Sequence, residues 1–184
     1  MSSGTGMSIA GRKRNTPTDL YQTPTHATEA LLRVEQFEGE VWEPASGRGA
    51  ISKVLEAHGL TVTSSDIMHD GYGRGGVDFL APETWRRVDN IVTNPPYRDA
   101  LAFIETSLTC VERKAAFLLK LTFLESRRRR AFFENSPPSR VWVFSDRLTM
   151  WPEGDDKPMN GGTIAYAWFV WDRDSDDAGQ LGWM

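Results

Sequence analysis

The 184-residue chain has a single cysteine, Cys110, so no internal disulfide framework staples it, and a reducing, intracellular setting is expected. It lacks any run near the ~18 apolar residues that a membrane span requires, and its opening residues, MSSGTGMSIAGRKRN, lack the apolar centre of a signal peptide. A soluble cytoplasmic protein with no membrane partner is the expectation. Histidine is scarce: His26, His58 and His69 are scattered without metal-ligand spacing, so no metal site is expected. A dominant charge is lacking too. Residues 172 to 184, with four Asp and one Arg, hold −3 of the net −4 and leave the rest at −1. Whole-chain charge therefore neither supports nor forbids a polyanionic partner, and the basic clusters stand at residues 11–14 (GRKR) and 127–130 (RRRR).

What is present reads as one domain of ordinary size. Residues 1–18 are small, polar and aperiodic, and read as a flexible lead-in; residues 19–172 read as the ordered body, and 173–184 as an acidic flexible tail. Thr23 followed by Pro24 resembles a helix start, with Ala27, Ala30, Leu31, Val34 and Phe37 at helical spacing to about Gln36. EVWEPA (40–45) predicts a strand, Ile51 to His58 a helix stopped by Gly59, and TVTSSDI (61–67) a second strand. A short third strand is expected at Val77–Phe79, a short helix at PETWRRV, a strand at NIVTN and a helix face at Leu101, Ile104, Leu108 and Val111. AAFLLKLTFL (115–124) is apolar throughout, as in a strand buried on both faces. ESRRRRAFFEN predicts a helix, RVWVFS a strand, and residues 162–172 a long final strand. Strands alternating with helices imply an α/β, doubly wound, mostly parallel sheet.

Gly47 and Gly49 fall between a predicted strand and a predicted helix, where glycines let backbone approach a ligand and present a helix N-terminus to it. The third glycine of a dinucleotide fingerprint is replaced by Ser52, and a tight turn without ligand is the competing reading. Asp66 closes the next strand, where a carboxylate suits the two hydroxyls of a ribose. Together these favour an adenosine-containing cofactor.

The run NIVTNPPYRDA ends an apolar strand in Asn94, Pro95, Pro96 and Tyr97. Two prolines remove donors and stiffen the turn, leaving the Asn94 side-chain oxygen and the Pro95 carbonyl as acceptors for both hydrogens of an NH2 group. Tyr97 adds a face on which a planar base can stack. Such a cradle strengthens as positive charge grows on an attacking amine, which is transition-state stabilisation by fixed dipoles.

These residues resemble the S-adenosylmethionine-dependent amino-methyltransferases, and in particular the small phage-type DNA N6-adenine methyltransferases. The resemblance rests on YQTP (21–24), EPASGRG (43–49), Asp66, DFL (78–80) and NPPY (94–97), and runs more loosely to YAWFVWD (166–172). It implies the Rossmann-like class I methyltransferase fold, seven strands with an antiparallel last strand. It places Thr23, Glu43, Ala45, Gly47 and Gly49 around the methionine moiety of S-adenosylmethionine, with Tyr21, Pro24 and Pro44 in the same cofactor set. Asp66 is expected at the ribose, Ile67 in the same cofactor set, Asp78 and Phe79 at the cofactor adenine, and Asn94, Pro95, Pro96 and Tyr97 at the reacting amine. DNA is the implied substrate and a bacterium or phage-infected host the implied setting. RNA bases, protein glutamine, and an inactive nucleic-acid-binding relative are the alternatives. The sequence after residue 172 is too short for the separate recognition domain of many restriction-type relatives, so site specificity is expected to be short, relaxed or supplied by a partner.

RRRR reads equally as a phosphate-binding stretch and as the solvated face of a helix that buries Phe132 and Phe133. The long segment 148–161 is expected to emerge beside Asn94, with Arg147, Trp151 and Lys157 as substrate contacts; a plain connector is the competing reading.

Overall fold

The computed structural model describes residues 21–152 and 163–184, with Trp151 and Pro152 described by backbone alone. The chain runs β1 (Tyr21–Gln22), α1 (Thr25–Val34), β2 (Glu40–Glu43), α2 (Ser52–Ala57), β3 (Thr61–Ser64), a 3-10 turn (Pro82–Thr84), β4 (Val88–Thr93) and α3 (Ala100–Cys110). It continues through β5 (Val111–Lys120), a second 3-10 turn (Leu121–Leu124), α4 (Arg127–Asn135), β6 (Arg140–Val143), β7 (Trp151–Pro152), β8 (Tyr166–Asp172) and β9 (Gln180–Trp183).

Seven strands form one sheet in the order β3-β2-β4-β5-β8-β6-β9. β3, β2, β4 and β5 are parallel neighbours, β8 is antiparallel to both β5 and β6, and β9 is parallel to β6. The apolar run in β5 now has its explanation. Ala115, Phe117 and Leu119 enter one core with α3, while Ala116 and Leu118 enter the other with α1 and α2. β8 divides likewise, with Phe169 and Trp171 on one side and Trp168 and Val170 on the other. The Trp168 indole donates to the Ala27 carbonyl at 2.8 Å and pins α1 to the sheet.

Three expectations are corrected. Val77–Phe79 is no strand: the glycine-rich loop before it folds onto the β3 continuation, with Asp66 N–H on the Arg74 carbonyl and Val77 N–H on the Asp66 carbonyl. The antiparallel strand is β8, inserted between β5 and β6, and it is not the last one. The seventh strand is β9, inside the residues expected to be an acidic tail. Aspartates at 174, 176 and 177 mask its approach, yet Gly179 and Gln180 donate to Pro138 and Ser139, and Gly182 lies against the Trp142 ring, where a Cβ would stand 2.1 Å from that ring. The lead-in 1–18 lies outside the described residues.

At the sheet end away from Asn94, a buried ionic cluster joins four elements. Glu35 pairs with Lys114 at 2.9 Å and with Arg140 at 2.5 Å, and Asp172 takes the other Arg140 nitrogen at 2.5 Å. Burial alone pushes the Glu35 and Asp172 carboxyls up, but the hydrogen bonds from Arg140 and its neighbours outweigh it and hold both below their ordinary values.

Candidate active site

β2, β3 and β4 are parallel, so their carboxyl ends lie on one edge of the sheet, the edge at which open α/β sheets bind ligands. A cavity of about 710 Å³ opens there, within the size range of small-molecule sites.

Its floor is the turn between β2 and α2. Gly47 (φ 50°) and Gly49 (φ 78°) take left-handed backbone that other residues rarely adopt. The Gly47 N–H donates to Asp66 Oδ2 at 2.7 Å, its carbonyl accepts from the Tyr72 N–H at 2.7 Å, and the Ser46 hydroxyl donates to the Tyr72 carbonyl at 2.6 Å. The second glycine has a different reason. A Cβ at Gly49 would stand 2.4 Å from the Tyr72 ring, so this residue makes room for the neighbouring loop, and it does not line the cavity.

Asp66 also accepts from the Met68 N–H at 2.8 Å, so each carboxylate oxygen already holds one backbone donor and keeps further acceptor capacity. Glu43, 1% exposed at the end of β2, accepts from the Ser52 N–H at 2.8 Å and from the Ser52 hydroxyl. Burial pushes its carboxyl up to about 8, against the opposing pull of the Ser52 hydrogen bonds.

Asn94 follows directly on β4. Its Nδ2 donates to the Thr23 hydroxyl at 3.1 Å, whereas its Oδ1 is buried with no hydrogen-bond partner among the described residues. The Pro96 carbonyl is used by the Asp99 N–H at 3.0 Å, which starts the turn into α3; among the described residues no donor reaches the Pro95 carbonyl. The two groups expected to accept an amine are thus the two left open.

The cavity is lined by Tyr21, Thr23, Glu43, Pro44, Ala45, Gly47, Asp66, Ile67, Asp78, Phe79, Asn94 and Pro96 from the expected set. Ile67 is 63% exposed at the rim, whereas Phe79 is buried and packs edge-on against Trp42 and at 5.1 Å against Phe103. Pro24, Gly49, Pro95 and Tyr97 do not line it. Pro24 faces an adjoining cleft along α1 and α2, and Pro95 is buried. Tyr97 is half-buried between Tyr21 (5.6 Å) and Tyr166 (6.2 Å). Arg147 is exposed; Trp151 is described by its backbone, which pairs with Gln22 in the β1–β7 ladder beside the cavity residue Tyr21; Lys157 lies outside the described residues. Sequence reasoning missed Arg48, Met68, Arg98 and Phe103, which also line the cavity, as does Leu80 of the DFL segment. Arg98 was legible as the charge next to the proline turn, whereas Phe103 was hidden among core positions of its helix.

The four arginines of RRRR differ in their surroundings. Arg129 folds back onto the Phe123 carbonyl at 2.7 Å and Arg130 pairs with Glu134, while Arg127 and Arg128 are exposed.

No protein-family model matches the sequence, and no curated protein does. Solved structures do. A protein of Pyrococcus horikoshii described as an RNA methyltransferase superposes with a TM-score of 0.64 at 14% identity, over 86% of this chain and 90% of that one. A modification subunit assigned to a type I restriction enzyme from Vibrio vulnificus YJ016 gives a TM-score of 0.56 at 16% identity over 87% of this chain, which spans only 45% of that protein. An S-adenosylmethionine-dependent O-methyltransferase from Thermotoga maritima gives 0.56 at 14% identity over 80% and 64%. The architecture is the Rossmann-like fold of class I methyltransferases.

Proposed function

We propose that the chain is an S-adenosylmethionine-dependent methyltransferase acting on the N6 amino group of adenine in DNA. The observation that carries this reading is the Asn94 amide, whose nitrogen is tied to Thr23 and whose buried oxygen, among the described residues, is left without a donor beside the cavity. A buried acceptor without a partner is costly, and a ligand N–H relieves it.

The residues fit the cofactor. Apolar Ile67, Leu80 and Phe79 beside acidic Asp66 and Asp78 suit an adenosine, and Thr23, Glu43, Pro44, Ala45 and Gly47 remain for the methionine end. When bound, the cofactor supplies an electrophilic methyl group on a sulfonium. Asn94 Oδ1 and the Pro95 carbonyl accept the two N–H bonds of the amine, whose hydrogens become more acidic as the nitrogen attacks. Were that methyl group transferred to the nitrogen, Asn94 Oδ1 and the Pro95 carbonyl would hold the amine in place while its surplus proton leaves to water. Positioning and fixed dipoles supply the rate enhancement.

The Pyrococcus likeness, described as acting on RNA, makes an RNA adenine the second substrate to test. The experiment is transfer of a labelled methyl group to duplex DNA, single-stranded DNA, RNA and protein extract, with Asn94→Ala alongside. Label in DNA and a loss of roughly 10²-fold or more in Asn94→Ala is the expected outcome. Label confined to protein removes the nucleic-acid reading, and label in DNA undiminished in Asn94→Ala removes the mechanism.

A further inference from the structure

The sheet edge on which Asn94 stands divides by charge. The segments at the carboxyl ends of β2 and β3, residues 43–50 and 65–80, carry two Lys or Arg against four Asp or Glu, a balance of −2. Those at the carboxyl ends of β4, β5 and β6, residues 94–99, 120–130 and 144–149, carry seven against three, a balance of +4. β4 lies between β2 and β5, so the Asn94 turn sits on the boundary. The acidic half suits a sulfonium cofactor, whereas the basic half has no part in that reading.

Most of the basic charge is RRRR. β4 and β5 pair as far as Thr93 and Phe117, so β5 ends at Lys120 on the Asn94 edge, and the 3-10 turn 121–124 delivers the chain to α4 there. The other end of α4 lies at the opposite edge. There the Ser136 carbonyl accepts from the indole of Trp171, which pairs with Ala115 near the start of β5.

Two of the four arginines are spent on the fold. Arg129 donates to the Phe123 carbonyl at 2.7 Å and to the Glu125 carbonyl at 2.6 Å, and Arg130 meets Glu134 at 2.7 Å. Arg127 and Arg128 are exposed, and among the described residues no carboxylate lies within ion-pair distance of either. The first turn of α4 holds no acidic residue. A helix begins with partial positive charge, so cations are unfavourable there, and Arg127 also stands three residues from the like-charged Arg130. The fold gains nothing from this pair, and an outside anion would relieve it.

We propose that Arg127 and Arg128 seat the phosphodiester backbone of the substrate strand, which crosses the carboxyl ends of β5 and β6 and reaches Asn94 from that side. This rests on the nucleic-acid reading above and deepens it. Exposed arginines hold a single small ion poorly, because water screens each one. A strand that meets several at once releases its condensed counterions, and the gain grows with every phosphate neutralised. Such contacts set the direction in which the strand lies and read no base.

The test is the salt dependence of binding, followed by anisotropy, of a single-stranded oligodeoxynucleotide containing one adenine. Arg127→Gln with Arg128→Gln is expected to flatten the plot of log affinity against log salt by about 1.4, at ~0.7 for each phosphate contact, and to bind about tenfold more weakly at low salt. Its affinity for S-adenosylmethionine is expected to stay unchanged and its melting temperature to equal or exceed that of wild type. Arg113→Gln removes a charge at the opposite end of β5, where Glu38 and Asp174 pair with it, and is expected to keep the wild-type slope. A slope unchanged in the double variant, or flattened as much per charge by Arg113→Gln, overturns the inference. Polyglutamate that displaces the oligonucleotide equally well at matched charge also overturns it, by assigning the patch to an acidic protein. A parallel transfer assay separates the two claims. Label reaching the oligonucleotide with the slope unchanged sinks the arginine patch alone, whereas label reaching only protein sinks the nucleic-acid reading and the patch with it. Should the double variant melt early, Arg127→Gln alone carries the comparison, at about 0.7 in slope.

Discussion

Asn94 donates its side-chain N–H to the hydroxyl of Thr23, 71 residues earlier in the chain, at 3.1 Å. That bond fixes which end of the amide is left to accept. Thr23→Val removes the acceptor at nearly constant shape and frees the amide to turn. The turnover rate at saturating cofactor is expected to fall about tenfold, equivalent to ~1.4 kcal/mol, with Thr23→Ser close to wild type. The Asn94 side-chain amide signals in NMR should shift in Thr23→Val and stay put in Thr23→Ser. A loss of cofactor affinity with turnover preserved at saturation would assign Thr23 to the cofactor alone and remove its hold on Asn94.

Glu43 gives a pH signature with an unusual sign. Its folded-state carboxyl is raised from 4.5 to about 8, so between those values the folded protein holds a proton that the unfolded chain has released. That contribution to stability is complete below about 4.5 and is lost as pH rises to 8. The melting temperature of wild type relative to Glu43→Gln is expected to fall by several degrees across this window, and parallel curves would refute it.

The Glu35 cluster has the opposite sign. Its carboxyls, and that of Asp172, are lowered, so their stabilisation is present above the ordinary carboxylate values of 4.5 and 3.8 and is lost as pH falls through the folded-state values. Glu35→Ala leaves Arg140 and Lys114 to share the single carboxylate of Asp172 and removes the acceptor of the Trp142 indole, which donates to Glu35 at 2.9 Å. A destabilisation of about 3 to 5 kcal/mol is expected at neutral pH by urea unfolding. A change below ~1 kcal/mol would mean that water already solvates the cluster.

Much of the layout was legible because it is local. The β5 run reads as a two-faced strand from composition alone, and the Asn94 turn and the Gly47 loop announce themselves by residue types whose backbone leaves few choices. What escaped depends on long-range contact. Lys120 looks like a polar interruption of an apolar strand until the sheet brings it over Tyr97, and nothing in the Asn94 turn points to Thr23 as its partner. β9 escaped because flanking aspartates outweigh four residues in any composition window, although its pairing partners in β6 were plain. Val77–Phe79 misled in the other direction: Phe79 has the burial of a strand residue without the ladder.

The contacts among Ser46, Gly47, Asp66 and Tyr72 have a consequence for how a ligand arrives. Two loops that ordinarily close around a guest are here already sewn to each other by backbone-directed bonds, with the Tyr72 ring filling the space that Gly49 leaves open. Their disorder is given up when the chain folds, and none of that loss falls on binding. Affinity at this floor is then governed by the ligand's own contacts, and the seat is complete before anything sits in it.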